Sequence, residues 1–304
     1  MGRFSRSFSI LGRSFEVIGG NKKLLLFPIV TTFFLCILTV LIIAPLTLVS
    51  TGHPLTDPAH WKAVGSTWFD INDQDHSFAV RRSGVALFAV LYFVSMFFAT
   101  FFNVAFYNEI LKALQGQPVS IRGGLKFAMS RVKAIAAWSL FTGLIGAIIK
   151  SIEERVGLVG KLVVKLIGLA WAVASVFAIP VLVREESSGN PINVLKSSAS
   201  LVRKTWGETL IGYVGLSIAG LLVFLEIFVV GGASIALAIA LGSPVVAGAG
   251  ILLAILGAIA MSIFLNVAGD VYKAALYLYA ADGIPPGPFN AEEMNAAWKT
   301  KPVK

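Results

Sequence analysis

The stretch GNKKLLLFPIVTTFFLCILTVLIIAPLTLV opens near two lysines and then runs without a charge from Leu24 to Val49. About 20 apolar residues cover a hydrocarbon core of roughly 30 Å, so this run is long enough to cross a bilayer as one helix. A secretory signal has an apolar core of only about 7–15 residues and a small-residue cleavage site. The following PLTLVSTGHP offers no A-x-A pattern, so Leu24–Val49 is expected to stay as a membrane span.

Five further runs follow the same logic: Gly84–Phe106, Ala134–Ile149, Leu162–Val183, Thr209–Val230 and Val245–Ala281. The last is longer than a bilayer requires, and is expected to tilt, break or project into water. Only 13% of residues are charged, against about 25% in soluble domains, which argues against a soluble enzyme. The expected fold class is an all-α, polytopic membrane bundle of six transmembrane helices, a single membrane domain over residues 1–304.

Lysine and arginine set the direction of insertion, because basic loops stay in the cytosol. The segments on the side of the two termini carry 17 basic residues and the opposite loops 6. Both termini are therefore expected in the cytoplasm of a prokaryote with an inner, cytoplasmic membrane. Residues 1–23 form a cytoplasmic amphipathic segment, 50–82 an extracytoplasmic loop and 282–304 a cytoplasmic tail. Arg81 and Arg82 run against the rule, with Asp70, Asp73 and Asp75 just before them. The net charge of +9 lies beside the apolar runs rather than in a separate basic domain. Anionic lipid headgroups are its expected partners, with no nucleic acid.

Three segments preceding spans one, three and five share a design. Apolar residues fall at helical spacing at Phe4, Phe8, Leu11, Phe15 and Ile18, at Ile121, Leu125, Met129, Val132 and Ile135, and at Ile192, Leu195, Ala199, Val202 and Trp206. Their other faces carry Arg, Lys and Ser, the pattern of interfacial amphipathic helices. The ends of the outgoing spans also echo one another. FFNVA at Phe101–Ala105 recurs as FLNVA at Phe264–Ala268, with FAIPV at Phe177–Val181 in the corresponding place. Turns GQP, GNP and GIPP follow, so the chain reads as three hairpin repeats, each opened by a basic amphipathic helix. Parallel repeats of this kind occur in transporters.

With GRFSRSF at its start and LLLFP opening the first span, the chain resembles an uncharacterised family of six-span prokaryotic integral membrane proteins. The helix-plus-hairpin unit is more distantly similar to the membrane region fused to some glycerophosphodiester phosphodiesterases. Neither resemblance supplies functional residues; the phosphodiesterase catalytic half and its His-Arg-Gly motif are absent from the sequence.

Ionisable and amide groups inside spans are the default functional candidates. They are Asn103, Asn108 and Glu109 at the end of span two, Lys165 in span four, Glu226 in span five, and Asn266, Asp270 and Lys273 late in span six. Asp270 and Lys273 stand at i, i+3, near the cytoplasmic boundary, where anchoring competes with a role in a polar pathway. Glu226, set about four residues before the outer end of its expected span, matches Lys165 in depth and opposes it in charge, so the two are expected to pair. The small residues Gly250, Ala254, Ala258 and Ser262 form a close-packing stripe that Asn266 and Asp270 continue.

The long outer loop holds His53, His60 and His76 with Asp57, Asp70, Asp73 and Asp75. A divalent ion competes there with a plain solvated loop in which Asp57-Pro58 starts a short helix. The calcium-loop glycine is missing, and neither a metal nor any other cofactor is expected. Cys36, inside the first span, has no cysteine partner in the chain. No phosphate loop, zinc-protease helix or G-x-S-x-G elbow occurs, so the expected function is non-enzymatic. It is a membrane component engaging lipid, a membrane protein partner or its own copies; the alternative is a small-solute transporter or channel.

Overall fold

A computed structural model of the chain describes residues 3–72, 77–185, 189–204 and 223–290. Asp73, Asp75, His76, Trp206, most of the expected fifth span and residues 291–304 of the C-terminal tail lie outside these residues. Six helical stretches are long and apolar enough to span a membrane: Lys22–Thr47, Arg82–Leu114, Val132–Arg155, Leu158–Arg184, Val223–Leu241 and Pro244–Asp282.

In chain order the amphipathic α1 is Arg3–Gly20, followed by a 3-10 turn at Lys22–Leu25 and the first span, α2, at Leu26–Thr47. The outer loop holds α3, Pro58–Trp68, and a two-stranded antiparallel hairpin, β1 Phe69–Asn72 with β2 Ser77–Val80, in register Asp70↔Ala79. The second span, α4, is Arg82–Leu114; the second amphipathic helix, α5, is Ile121–Ser130 and leads into α6, Val132–Arg155. The fourth span is divided into α7, Leu158–Ala174, and α8, Ala178–Arg184, and the third amphipathic helix, α9, is Pro191–Lys204. The last hairpin pairs α10, Val223–Leu241, which holds a π-helical turn at Ile227–Gly231, with the 39-residue α11, Pro244–Asp282.

Local chemistry explains the boundaries. The Asp57 carboxylate accepts from Ala59 N at 2.9 Å, and Pro58 sits in the first turn of α3, where its missing N–H is no loss. The break between α7 and α8 lies one turn before Pro180, whose ring excludes a regular bond to the carbonyl four residues back. A serine from α9 repairs it. Ser198 Oγ donates to the Ala174 carbonyl at 2.6 Å and accepts from Phe177 N at 3.0 Å, and Ser198 is fully buried.

The fifth span corrects the expectation that it ends at Val230. The helix continues through Gly231 and Gly232 to Leu241, and closes at Gly242, whose φ is +62°, with Pro244 opening α11. A glycine pair does not stop a helix in hydrocarbon, where no water competes for the backbone groups. A left-handed glycine followed by proline does. The sixth span neither breaks nor ends at the bilayer: α11 runs on as one helix.

Burial is concentrated at one end of the bundle, here termed the base. Along the spans, large side chains such as Phe33, Leu41 and Leu253 are exposed to the surroundings. At the base the outgoing helices converge, and Val104, Ala105, Ile110, Phe177, Leu182, Val267, Val271 and Tyr277 form one buried cluster. The amphipathic helices surround it with a consistent offset. Helix α5 packs on the preceding α4, α9 on the preceding α8, and α1 closes the circle on α11, with the Phe15 and Phe264 rings 4.8 Å apart.

The α4–α5 contact depends on a missing side chain: a Cβ at Gly124 would meet the Ala105 carbonyl oxygen at 2.7 Å and Glu109 Cγ at 3.0 Å. Gly124→Val should therefore destabilise the base by about 1–3 kcal/mol, the usual range for overpacking. Gly168→Ala, where nothing lies within 4 Å, should leave stability unchanged. Thermal unfolding of the two purified variants separates these outcomes, and equal melting temperatures would refute the contact.

Candidate functional site

The polar residues singled out in the spans fall into distinct arrangements. The first is structural. Glu109 is fully buried, and its carboxylate accepts from Asn108 Nδ2 at 2.8 Å, Lys112 Nζ at 2.7 Å and Ser120 N at 2.7 Å. Ser120 is the N-cap of α5, with its hydroxyl accepting from Gly123 N at 3.2 Å. One carboxylate thus offsets a neighbouring ammonium and fixes the start of an amphipathic helix. A buried charge with several charge-assisted bonds is stable where an unpaired one is not.

The second arrangement is a cavity of about 220 Å³ at the junction of the three outgoing helices. Asn103 and Tyr107 reach it from α4, Asp270 and Lys273 from α11, and Ala172, Val176 and Ile179 form an apolar wall across α7 and α8. Asp270 Oδ1 accepts from Tyr107 Oη at 2.9 Å and from Lys273 Nζ at 3.0 Å. The i, i+3 pair allowed by the sequence is thus formed and joined by a tyrosine from another span. At 1.5 Å per residue, Asn103 lies about 32 Å along α4 from Arg82 and Asp270 about 39 Å along α11 from Pro244. Both distances exceed the roughly 30 Å hydrocarbon thickness, and the cavity opens beside the buried cluster of the base.

Tyr107 was not among the candidates, yet a signal existed. In FFNVAFY and FLNVAGD, Tyr107 and Asp270 occupy the same position, so the repeat brings a phenol and a carboxylate to equivalent sites on two helices. Asn266 corresponds to Asn103 but does not line the cavity; its amide donates to the Ser262 carbonyl of its own helix at 2.8 Å. Ser198 was likewise missed, because nothing in the sequence of α9 indicates that its partner is a helix break.

The expected Glu226–Lys165 pair is not formed. Lys165 is exposed on α7, while Glu226 turns towards α11, where a Cβ at Gly257 would lie 2.6 Å from its Oε1. The longer α10 explains the difference. Glu226 stands 15 residues before Leu241, about 22 Å from the outer end rather than close to it. Its Oε2 is buried without a hydrogen-bond partner among the described residues. The small-residue stripe serves this same contact: Gly250, Ala254 and Ala258 are buried, and α10 packs on α11.

In the outer loop His60 is engaged structurally. Its Nε2 donates to the Thr47 carbonyl and its Nδ1 meets the Thr51 hydroxyl, both at 2.8 Å. His53 faces Asp57 at 3.7 Å. Among the described residues, no group of three His, Cys, Asp or Glu side chains is arranged to hold a metal.

Gly257→Leu, whose branched side chain needs more room than a shift of the flexible Glu226 carboxylate gives, should lower stability by about 1–3 kcal/mol. Adding Glu226→Ala should recover much of that loss, a positive coupling in a double-mutant cycle. Lys165→Ala and Glu226→Ala, by contrast, should simply add. Strong coupling of the second pair and none of the first, read by thermal unfolding, would reverse the assignment.

Residues 82–287 match a family of unknown function, DUF6159. That span covers more than half of the chain, which therefore belongs to this family. No curated protein and no solved structure matches it.

Proposed function

We propose that this member of the DUF6159 family is a non-enzymatic, multi-pass component of a prokaryotic cytoplasmic membrane that grips anionic lipid headgroups with a ring of basic helices. The observation that supports this reading is the way α1, α5 and α9 are docked. Their apolar sides face the protein: Val17 and Ile18, Ala128, and Val194, Leu201 and Val202 are buried. Their cations face outwards, with Lys22 and Lys23 after α1, Arg122 and Lys126 on α5, and Lys196, Arg203 and Lys204 on α9 all exposed. Neither α5 nor α9 contains an acidic residue. Each exposed cation near an anionic surface contributes about 1 kcal/mol, falling off within a Debye length.

The orientation belongs to the same proposal: both termini, the amphipathic helices and the base face the cytosol, and residues 50–82 face outwards. A reporter fused after Lys304 should read as cytosolic, and one inserted at Gly52 as external. Finding both on one side would overturn the six-span topology.

For the lipid contact, the purified full-length protein should be stabilised more by phosphatidylglycerol than by phosphatidylcholine, with the difference shrinking as salt rises. Replacing Lys126, Lys196, Arg203 and Lys204 by glutamine should remove the difference. Equal stabilisation by both lipids at low salt would defeat the proposal. A second reading, a small-solute transporter or channel, draws on the polar cavity; solute flux in vesicles carrying the intact chain would favour it over the first.

A further inference from the structure

We propose that the cavity between α4, α8 and α11 binds a small zwitterion in which a primary ammonium is joined to a phosphate or carboxylate, the chemistry of phosphoethanolamine. This inference goes beyond the basic ring and does not depend on it. It rests on polar groups around the cavity that keep hydrogen-bonding capacity beyond their partners among the described residues. Asp270 Oδ1 takes both bonds, from Tyr107 and Lys273, while Oδ2 accepts none among the described residues. Lys273 makes a single bond, to Asp270, which leaves two of its three N–H donors. The Asn103 side-chain amide lines the cavity and has no hydrogen bond within the described residues.

These groups select for a ligand bearing both charges. A simple anion attracted to Lys273 meets the Asp270 carboxylate 3.0 Å from that ammonium. A simple cation attracted to Asp270 meets Lys273. In either case attraction and repulsion nearly cancel, because the two fixed charges are so close. A zwitterion escapes the cancellation: its ammonium donates to Asp270 Oδ2 while its oxyanion accepts from Lys273 and Asn103. Discrimination then comes from opposed charges as much as from attractive ones. The ammonium must carry an N–H, and a primary one offers three, because a carboxylate oxygen is an acceptor and a quaternary nitrogen has no N–H to offer.

The apolar wall of Val176 and Ile179 fits the carbon framework of such a ligand, and the volume of about 220 Å³ limits it to a headgroup or a similarly small molecule. Two sources present this same chemistry, a phospholipid of the bilayer and a free zwitterion from the aqueous side.

The test uses the purified full-length protein in detergent, with binding followed by native mass spectrometry. The probes are dihexanoyl phosphatidylethanolamine, its choline and glycerol counterparts, and O-phosphoethanolamine. The ethanolamine lipid should bind one to a chain, about tenfold or more tighter than either counterpart. Asp270→Asn should reduce it to the level of the choline lipid. Val176→Phe, which fills the cavity from its apolar side and leaves every polar group in place, should abolish binding while the melting temperature holds. Competition by O-phosphoethanolamine would support a free zwitterion as the ligand; binding of the lipid without such competition would support a headgroup. Equal binding of ethanolamine and choline lipids, or a preference that survives both substitutions, would overturn the site. A glycerol-lipid preference that is salt-sensitive and unaffected by Val176→Phe belongs to the basic ring instead, so the two proposals fail separately.

Discussion

Apolar side chains gain little by leaving hydrocarbon for a protein interior, but about 25 cal/mol per Å² by leaving water. The outgoing helices of this protein pass from one solvent to the other. Some twenty residues take α11 across the hydrocarbon, and its continuous burial sets in near there, with Leu265, Val267, Ala268 and Val271 all inside the base. In α4 the change comes at Thr100 and Phe101. The spans leave most of their apolar surface exposed, as lipid-facing helices do, and the cohesive core is assembled at one end of the bundle. The amphipathic helices have their place in the same account, since each covers an apolar helix end that water would otherwise reach.

Three of the carboxylates in the described helices, Glu109, Asp270 and Glu226, show how position governs what an acid can do. Glu109, at the base, is surrounded by donors from its own helix and from the start of α5, and serves as a pin. Asp270 is only half enclosed; it shares Oδ1 between two donors and keeps its other oxygen for the cavity. Glu226 lies in the membrane, opposite a glycine rather than a cation. One residue type thus holds structure, leaves capacity for a ligand, or fills a gap between two helices, according to the donors within reach.

Much of this architecture could be read from the chain. Long uncharged runs reveal spans because the bilayer penalises charge along its whole depth, and helical spacing of Ile121, Leu125 and Met129 among cations reveals a helix with two faces. What those faces touch is another matter. The apolar side of α5 suits a membrane surface and a protein surface equally, and only the outgrowth of α4 decides between them. Membership of the cavity was legible for Asn103, Asp270 and Lys273 through their cost in a span, but not for Tyr107, a residue at home at any interface. The Lys165–Glu226 pair failed because depth was inferred from a span end at Val230, whereas α10 runs on to Leu241. The hairpin of β1 and β2 was missed because its two short strands carry no long alternating pattern. Ser198 answers a vacancy created by Pro180 on another helix, which no local pattern encodes.

The docking of α1 on α11 carries an implication for how the chain is made. Each of the other amphipathic helices lies on an element that precedes it, so α5 and α9 find their partners already synthesised. Helix α1 is made before every other described element and rests on α11, the last of them. For nearly the whole of translation it is a segment in waiting, with Phe15 and Ile18 lacking their eventual cover, and the membrane surface is the available shelter for such a face. Completion of the base is thereby coupled to completion of α11: a nascent chain released before that helix is finished retains an uncovered apolar face on α1.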